Sequence, residues 1–273
     1  MKSWGIDVSE HQGTINWQRV KAYGIKYAIL RVGYGDNIKS QDDKFFIRNA
    51  DECTRYSIPF GVYIYSYAQS RGQARSEAEH VLRLIDGYEL SYPVYFDMED
   101  ERTQGRLSRS ELAGIAGDFC KIIESKGYIT GVYANLNWWN NRLVDPVYDQ
   151  YEKWVAQYNP NISESDYKKD HGMWQYSSVG YVDGISGNVD MNYCYVDYEA
   201  LTSKNDVDKL VVYYGDIDVA SAAILSQNNS CPMMRMGDYI TSEIKAGEIM
   251  MVGGNPNDPN RFQTAKNVAD KLK

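Results

Sequence analysis

The stretch Val94-Tyr-Phe-Asp-Met-Glu-Asp100 decides how the rest of the sequence is interpreted. Its first three residues are apolar and favour a β-strand, which Pro93 precedes. Because side chains two apart on a strand point to the same face, Asp97 and Glu99 project together. Two neighbouring carboxylates cannot both ionise freely, so the pair can divide into a proton donor and a charged stabiliser. The alternative for an isolated D-x-E motif is a strand that ends in an acidic, solvated loop.

Length and composition limit the classes of protein that the sequence can encode. A chain of 273 residues accommodates one large domain, or one large and one small domain. The formal net charge of -8 argues against nucleic acid as a partner. The 24 Tyr and 6 Trp are the unusual feature, because such rings suit surfaces that bury a ligand while offering hydroxyl groups.

The N-terminus and the spacing of metal-binding residue types give expectations about compartment and cofactors. No apolar segment of a secretory signal is present, and no apolar run is long enough for a transmembrane helix, so neither secretion by a leader nor a membrane partner is expected. Three histidines without zinc-ligand spacing predict that no metal or other cofactor is needed, which disfavours a zinc amidase. We expect reduced and mostly buried thiols at Cys53, Cys120, Cys194 and Cys231.

Strand-like and helix-like segments alternate at a spacing of about thirty residues, which predicts parallel βα units. The predicted strands cover residues 4–7, 27–32, 60–65, 94–97, 129–134, 154–157, 173–176 and 189–192. Little room for helices remains between the last three. The fold class predicted is therefore α/β, a TIM-like barrel with shortened last units: five βα units plus three strands, all taken as parallel.

Acidic residues and aromatic rings coincide at one end of this predicted barrel. Functional groups of such barrels lie at the carboxyl ends of the strands, where Asp7, Asp97, Glu99 and Asp190 are expected. Rings are predicted at the same level: Tyr34, Tyr63, Tyr65, Tyr67, Tyr133, Trp138, Trp139, Tyr158, Trp174 and Tyr176. An acidic centre surrounded by rings suits a sugar polymer, because pyranoses stack on rings while carboxylates protonate the glycosidic oxygen. Core packing is the alternative for any single ring.

Several motifs in the same order resemble glycoside hydrolase family 25, the muramidases (lysozymes), over roughly residues 1 to 200. They are Gly5-Ile-Asp-Val-Ser-Glu-His-Gln12, Gly61-Val-Tyr-Ile-Tyr65, Asp97-Met-Glu99, Trp154-Val-Ala-Gln-Tyr158, Met173-Trp-Gln-Tyr176 and Val189-Asp-Met-Asn192. The resemblance implies a shortened barrel that cleaves peptidoglycan. Many members have His where this chain has Tyr65, and we infer no loss of activity because Tyr can also donate a hydrogen bond.

Site roles follow from the resemblance, residue by residue. Glu99 matches the general acid, and Asp97 matches the carboxylate that assists the N-acetyl group of the substrate. Asp7 and Asp190 match outer acids that hold the substrate and raise the pKa of Glu99. We assign substrate binding to Gln12, Tyr34, Tyr63, Tyr65, Tyr133, Tyr158 and Trp174.

A second, smaller domain is predicted after a polar linker. We place the catalytic barrel at residues 1–202, the linker at 203–209, and a small α/β domain at 210–273. This domain has predicted strands at 210–214, 232–235 and 249–252, and an apolar helical stripe after Pro259. A sheet this small leaves open edges, so a homo-oligomer is one expectation. The other is that the domain binds a cell-wall polymer, as in a phage endolysin.

The function predicted is therefore a peptidoglycan hydrolase that cleaves the β-1,4 bond between N-acetylmuramic acid and N-acetylglucosamine and lyses bacteria. Such an endolysin is made in the host cytoplasm and reaches the wall after holin release. Two alternatives remain open. One is an inactive barrel that only binds glycan, and the other is a wall amidase or peptidase.

Overall fold

The computed structural model describes residues 2–202, 207–241, 244 and 246–253. Two compact units make up the chain, divided between Thr202 and Ser203. No helix in the described ranges is long and apolar enough to cross a membrane. All four cysteines are free, and three of them are buried.

The first unit is a closed barrel of eight strands in sequential order. The strands are Ser3–Val8 (β1), Tyr27–Tyr34 (β2), Phe60–Tyr65 (β3), Val94–Asp97 (β4), Thr130–Asn135 (β5), Glu152–Ala156 (β6), Met173–Gly180 (β7) and Val189–Cys194 (β8). The helices are Trp17–Tyr23 (α1), Phe46–Arg55 (α2), Arg71–Ile85 (α3), Arg109–Glu124 (α4), Leu136–Asn141 (α5) and Tyr198–Thr202 (α6). The predicted barrel with its five βα units and three further strands is confirmed.

The direction of the last strand was predicted wrongly. β8 pairs antiparallel with both β7 and β1, whereas all other neighbours pair in parallel. The connection from Gly180 to Val189 is too short for a parallel crossover, which needs a dozen or more residues, but it suffices for an antiparallel return. As a result Asp190 is near the start of β8 rather than at its carboxyl end. Because the strand is reversed, its start lies at the same rim of the barrel as the carboxyl ends of the parallel strands.

Helix caps and two apolar layers explain why these elements form. α4 begins at a capping box in which the Ser108 and Glu111 side chains each accept from the other's backbone N–H. Phe119 of this helix stacks on Phe96 of β4 with ring centroids 4.1 Å apart, which fixes the helix on the outer side of the barrel. Inside the barrel, a separate cluster is built mainly from rings, among them Tyr27, Tyr95, Tyr133, Trp154 and Tyr198.

The second unit contains a three-stranded parallel sheet in the order β10-β9-β11. Its elements are Val207–Tyr213 (β9), Val219–Asn228 (α7), Met233–Arg235 (β10), Met236–Thr241 (α8) and Ala246–Val252 (β11). The core is small and includes Val211, Ala222, Leu225 and Val252. Residues 207–209, predicted as linker, belong to β9, and α8 was not predicted. The helix predicted after Pro259 lies outside the described residues.

Candidate active site

Strand ends bring four acids to one rim of the barrel. Asp7 is the fifth residue of β1, Asp97 is the last residue of β4, and Glu99 follows two positions later. Asp190 on β8 is the register partner of Asp7. Because inward-facing side chains alternate along each strand, these acids lie directly above the aromatic layer of the barrel interior.

Asp7 is buried and bound by two amide side chains. Its Oδ2 atom accepts hydrogen bonds from Gln175 Nε2 at 2.8 Å and from Asn192 Nδ2 at 2.7 Å. Burial raises the pKa of Asp7 well above its ordinary value, and the charge of Asp190 raises it further, while the two amides oppose the rise. Asp7 is therefore held in a fixed position in which it is able to retain a proton.

Asp97 and Glu99 share the same environment. Burial raises the pKa of Asp97 well above its ordinary value, and Glu99 and then Asp7 add to the shift. The pKa of Glu99 is raised by burial and by Asp190, against a hydrogen bond from Asn135. Asp97 Oδ1 is buried and has no hydrogen-bond partner among the described residues. That oxygen is therefore able to accept a hydrogen bond from a ligand.

Asp190 completes the acidic cluster. Burial raises the pKa of this carboxyl to about 6. All four acids therefore have raised pKa values, so the cluster keeps protons to higher pH than exposed carboxyls do. Raised carboxyl pKa values of this kind are what a general acid requires.

One cation lies against the acids. Arg31 of β2 lowers the pKa of Asp97 through its charge, and its side chain is mostly buried. Its Nε donates to Asp43 Oδ2 at 2.9 Å, and its other end forms an ion pair with Glu10 at 3.2 Å. These two acids fix the guanidinium beside the cluster and offset part of its charge.

Tyrosines surround the acids on several strands. Tyr133 and Tyr158 both donate to Gln175 Oε1, at 2.8 Å and 2.5 Å, so each hydroxyl is connected through that amide to Asp7. Tyr63 lies among the same charges, since Asp7 and Asp97 raise its pKa after the larger effect of burial. Tyr65 donates to Asp100 at 3.4 Å.

Two further rings, Tyr67 and Tyr34, continue this group of tyrosines beyond Tyr65. Tyr67 contacts both Tyr65, with centroids 5.2 Å apart, and Tyr34, with centroids 6.1 Å apart. The structure therefore places Tyr34, Tyr63, Tyr65, Tyr133 and Tyr158 at the acidic rim or in direct contact with residues of it.

Other rings predicted at this rim lie elsewhere. Trp138 and Trp139 are 1% and 2% exposed and belong to the core outside the barrel strands. Trp174 and Tyr176 alternate with the inward-facing Gln175, so their rings lie on the outer face of β7, where they contact Tyr193. The assignment of Trp174 to the sugar cleft is therefore corrected: the residue is beside the cleft but on the other face of the strand.

Gln12 has a local structural contact as well as a position near the rim. Its side-chain oxygen accepts from the backbone N–H of Ser9 at 2.9 Å in a capping box, and its Nε2 donates to Asn188 O at 3.3 Å. The loop after β1 is thereby joined to the connection that precedes β8. Substrate binding by Gln12 stays a prediction.

Four polar residues of the site were not predicted: Arg31, Asn135, Gln175 and Asn192. Gln175 and Asn192 were inside quoted motifs, and their positions two residues from inward-facing neighbours could have identified them. Asn135 ends β5 and also caps α5 by accepting from Trp138 N at 3.1 Å. No group of three or more His, Cys, Asp or Glu in the described ranges could hold a metal ion.

Comparison with known proteins agrees with this geometry. Residues 6–185 match the family described as glycosyl hydrolases family 25. An uncharacterized protein, YegX, of Escherichia coli K12 is 29% identical over 198 residues, covering 69% of this chain and 68% of YegX. The autolytic lysozyme of Clostridium acetobutylicum is 28% identical over 191 residues, covering 69% of this chain and 54% of that protein.

Solved structures show the same barrel. The modular autolysin LytC of Streptococcus pneumoniae, determined with a synthetic peptidoglycan ligand, is 31% identical with a TM-score of 0.63. The match covers 71% of this chain, which spans about half (47%) of LytC. The CTP1L endolysin has the same fold over 99% of this chain and 98% of its own, at 22% identity and a TM-score of 0.61.

Proposed function

Since this chain belongs to glycosyl hydrolases family 25 and is a glycoside hydrolase, we propose that it is a peptidoglycan muramidase. The bond cleaved is the β-1,4 link from N-acetylmuramic acid to N-acetylglucosamine. The observation that carries the proposal is the cluster of buried Asp7 and Asp97 with partly buried Glu99 and Asp190, all with raised pKa values, at a rim lined by tyrosines. Similarity to an autolytic lysozyme and to LytC supports the same substrate.

Glu99 is the general acid in this proposal. Its raised pKa lets the carboxyl keep its proton to higher pH than an exposed glutamic acid does, and its partial exposure lets a ligand approach. The proton goes to the glycosidic oxygen as the bond from that oxygen to the anomeric carbon breaks. The acetamido oxygen of the same sugar forms the new bond to the anomeric carbon, so the leaving sugar departs as a neutral alcohol.

Asp97 assists this internal attack. Its buried Oδ1 has no partner among the described residues, so it is free to accept the acetamido N–H and to stabilise the positive charge that develops on the group. Ionised Glu99 then takes a proton from water, whose oxygen attacks the anomeric carbon and reopens the acetamido ring. Tyr133, Tyr158 and Gln175 fix Asp7 below the sugar.

The Glu99→Gln variant tests this assignment. Amide replacement keeps the shape of the side chain but cannot donate the required proton, so we expect a loss of cleavage of about a hundredfold or more. Digested peptidoglycan is reduced with borohydride and analysed by mass spectrometry. New ends carrying reduced muramic acid, absent with the variant, are the expected result.

Other products would identify other activities. Reduced glucosamine ends would move the cut to the other glycosidic bond. Freed amino groups without new reducing ends would indicate an amidase or peptidase, and no new groups of either kind would indicate a barrel that only binds glycan.

The proposal extends to the biological role. We propose that the chain acts in bacterial lysis as a phage endolysin does, made in the host cytoplasm and released to the wall through a holin lesion. The second unit would bind a wall polymer and self-associate through its edge strands, β10 and β11. Tethering raises the effective substrate concentration for the barrel.

A further inference from the structure

A groove runs along the outer face of β7 and β8, separate from the barrel interior. Its volume is about 560 Å³. Residues 159, 160, 162 and 163 of the β6–β7 connection line it, together with residues 177–179 of β7. Trp174, Tyr176 and Tyr193 line it as well. The described connection from β7 to β8 contains no helix, so the helix of a complete βα unit does not cover this face of the sheet.

Aromatic rings and a single cation give the groove its chemistry. Tyr176 and Tyr193 stack with centroids 4.5 Å apart, and Lys2 Nζ is 3.7 Å from the centroid of the Tyr193 ring. Lys2 Nζ also donates to Ser163 O at 3.3 Å, which leaves further N–H donors for a ligand. Among the described residues that line the groove, Lys2 is the one with a charge. The groove therefore suits an apolar chain that carries a carboxylate.

The groove meets the acidic rim at Tyr158. This residue is 52% exposed and belongs to the wall of the groove, while its hydroxyl donates to Gln175, which in turn binds Asp7. A ligand seated in the cleft can therefore continue into the groove past one side chain. Strand β1 sets the scale, because Asp7 and Lys2 are five positions apart, or roughly 16 Å at about 3.3 Å per residue.

We propose that this groove holds the peptide stem of the sugar that is bound in the cleft, with a stem carboxylate at Lys2. This inference rests on the proposed muramidase function. A stem that carries carboxylates is repelled by the cluster of Asp7, Asp97, Glu99 and Asp190 and is attracted by Lys2. Four or five extended residues cover about 15 Å, which is the length from the rim to Lys2. The aromatic side chains of the groove pack against the apolar parts of the stem.

Two variants and two substrates test the proposal. Lys2→Gln removes the cation, and Ser178→Trp fills the groove from an exposed position. Lys126→Gln, an exposed change just after the end of α4, is the matched control. Full-length proteins are assayed on short glycan chains with stems and on the same chains after an amidase has removed the stems. Thermal unfolding confirms that each variant is folded.

The expected result is a selective loss. Lys2→Gln lowers kcat/KM about threefold to fivefold on chains with stems, mainly through KM, as for one partly exposed charge pair. Ser178→Trp lowers it about tenfold or more because the stem is displaced. Neither variant changes kcat/KM on chains without stems, and Lys126→Gln changes neither value.

Two outcomes would overturn the proposal. Equal losses on both substrates would mean that the groove holds sugar, and no loss on either would mean that it holds no part of the substrate. Failure of the muramidase function itself looks different, because the unmodified protein would then release no reducing ends from either substrate.

Discussion

Glu99 is influenced in opposite directions by two side chains that the structure places beside it. The charge of Asp190 raises the pKa of Glu99, after the larger effect of burial, whereas a hydrogen bond from Asn135 lowers it. If Glu99 is the general acid, its pKa sets the alkaline limb of the activity profile, since the ionised form cannot donate. Variants of the two neighbours should therefore shift this limb in opposite directions.

We expect Asp190→Asn to move the alkaline limb of kcat/KM to lower pH, because removing a negative charge makes Glu99 ionise more easily. Asn135→Ser should move it to higher pH, because the shorter hydroxyl no longer reaches Glu99 but still caps α5. The profile is measured on a soluble glycan, and the two shifts should have opposite signs. Asp86→Asn, an exposed change near the end of α3, is the control.

If the unmodified protein and the three variants have identical alkaline limbs, Glu99 is not the group that controls this limb. Shifts of the same sign in both variants would mean that the limb reports a property other than the pKa of Glu99, such as a change in stability.

At this scale the sequence identified the acids, because strand ends and alternation are local properties. It could not identify Arg31, whose position beside Asp97 depends on Asp43 and Glu10 holding the guanidinium from other parts of the chain. The face on which Trp174 lies was decided by alternation with Gln175, a rule available from the sequence, but the ring was assigned by its position at a strand end alone.

At the scale of one element, α3 carries a buried carboxylate that fixes the loop after β3. Glu77 is 1% exposed and accepts from Ser66 Oγ at 2.6 Å and from the backbone N–H of Tyr67 at 2.9 Å. Gln104 donates to the same Ser66 hydroxyl at 2.9 Å, and Ser66 N donates to the carbonyl of Asp97 at 3.0 Å. The helix is thereby connected to the backbone of the active site.

Glu77 should make stability fall as the pH rises. Burial raises its pKa from 4.5 to about 7, so the folded state binds the proton more tightly than the unfolded state does between these values. The protonated form stabilises the fold at low pH, and that contribution disappears as the pH rises through about 7. Between pH 4.5 and pH 8 the folded state therefore loses about 3 kcal/mol of its free energy of unfolding from this group.

The Glu77→Gln variant should therefore lose most of this pH dependence. Urea denaturation at pH 5 and at pH 8 measures the free energy of unfolding, and the difference between variant and unmodified protein should favour the variant increasingly as the pH rises. Glu79→Gln changes an exposed carboxylate of the same helix and should leave the difference constant. A constant difference for Glu77→Gln as well would contradict the buried-acid account.

The barrel strands were predicted to within about four residues at each end, because each is a short apolar run next to turn residues. The direction of β8 was missed because a short strand has the same pattern in either direction, and only the length of the preceding connection distinguishes them. The reversal has a functional consequence, since it is what brings Asp190 opposite Asp7.

At the scale of the whole molecule, the barrel is complete at Thr202. α6 contributes Tyr198, which is fully buried in the interior ring cluster and accepts a hydrogen bond from Tyr95 at 3.5 Å. Thr202 donates to Ser91 O at 3.1 Å. A protein that ends at residue 202 therefore keeps these contacts, while one that ends before α6 would expose the interior rings.

We therefore expect the first unit to be sufficient for cleavage and the second unit to be needed for binding to walls. Residues 1–202 should cleave short soluble glycans with kcat/KM within about twofold of the full chain, because the acids and tyrosines of the site all belong to the barrel. Clearing of intact walls should slow by about tenfold or more, because the proposed tether is gone. Binding is measured without cleavage by sedimenting the Glu99→Gln forms of both lengths with walls. Only the longer form should sediment; equal sedimentation of both would assign wall binding to the barrel and leave the second unit without the role proposed for it.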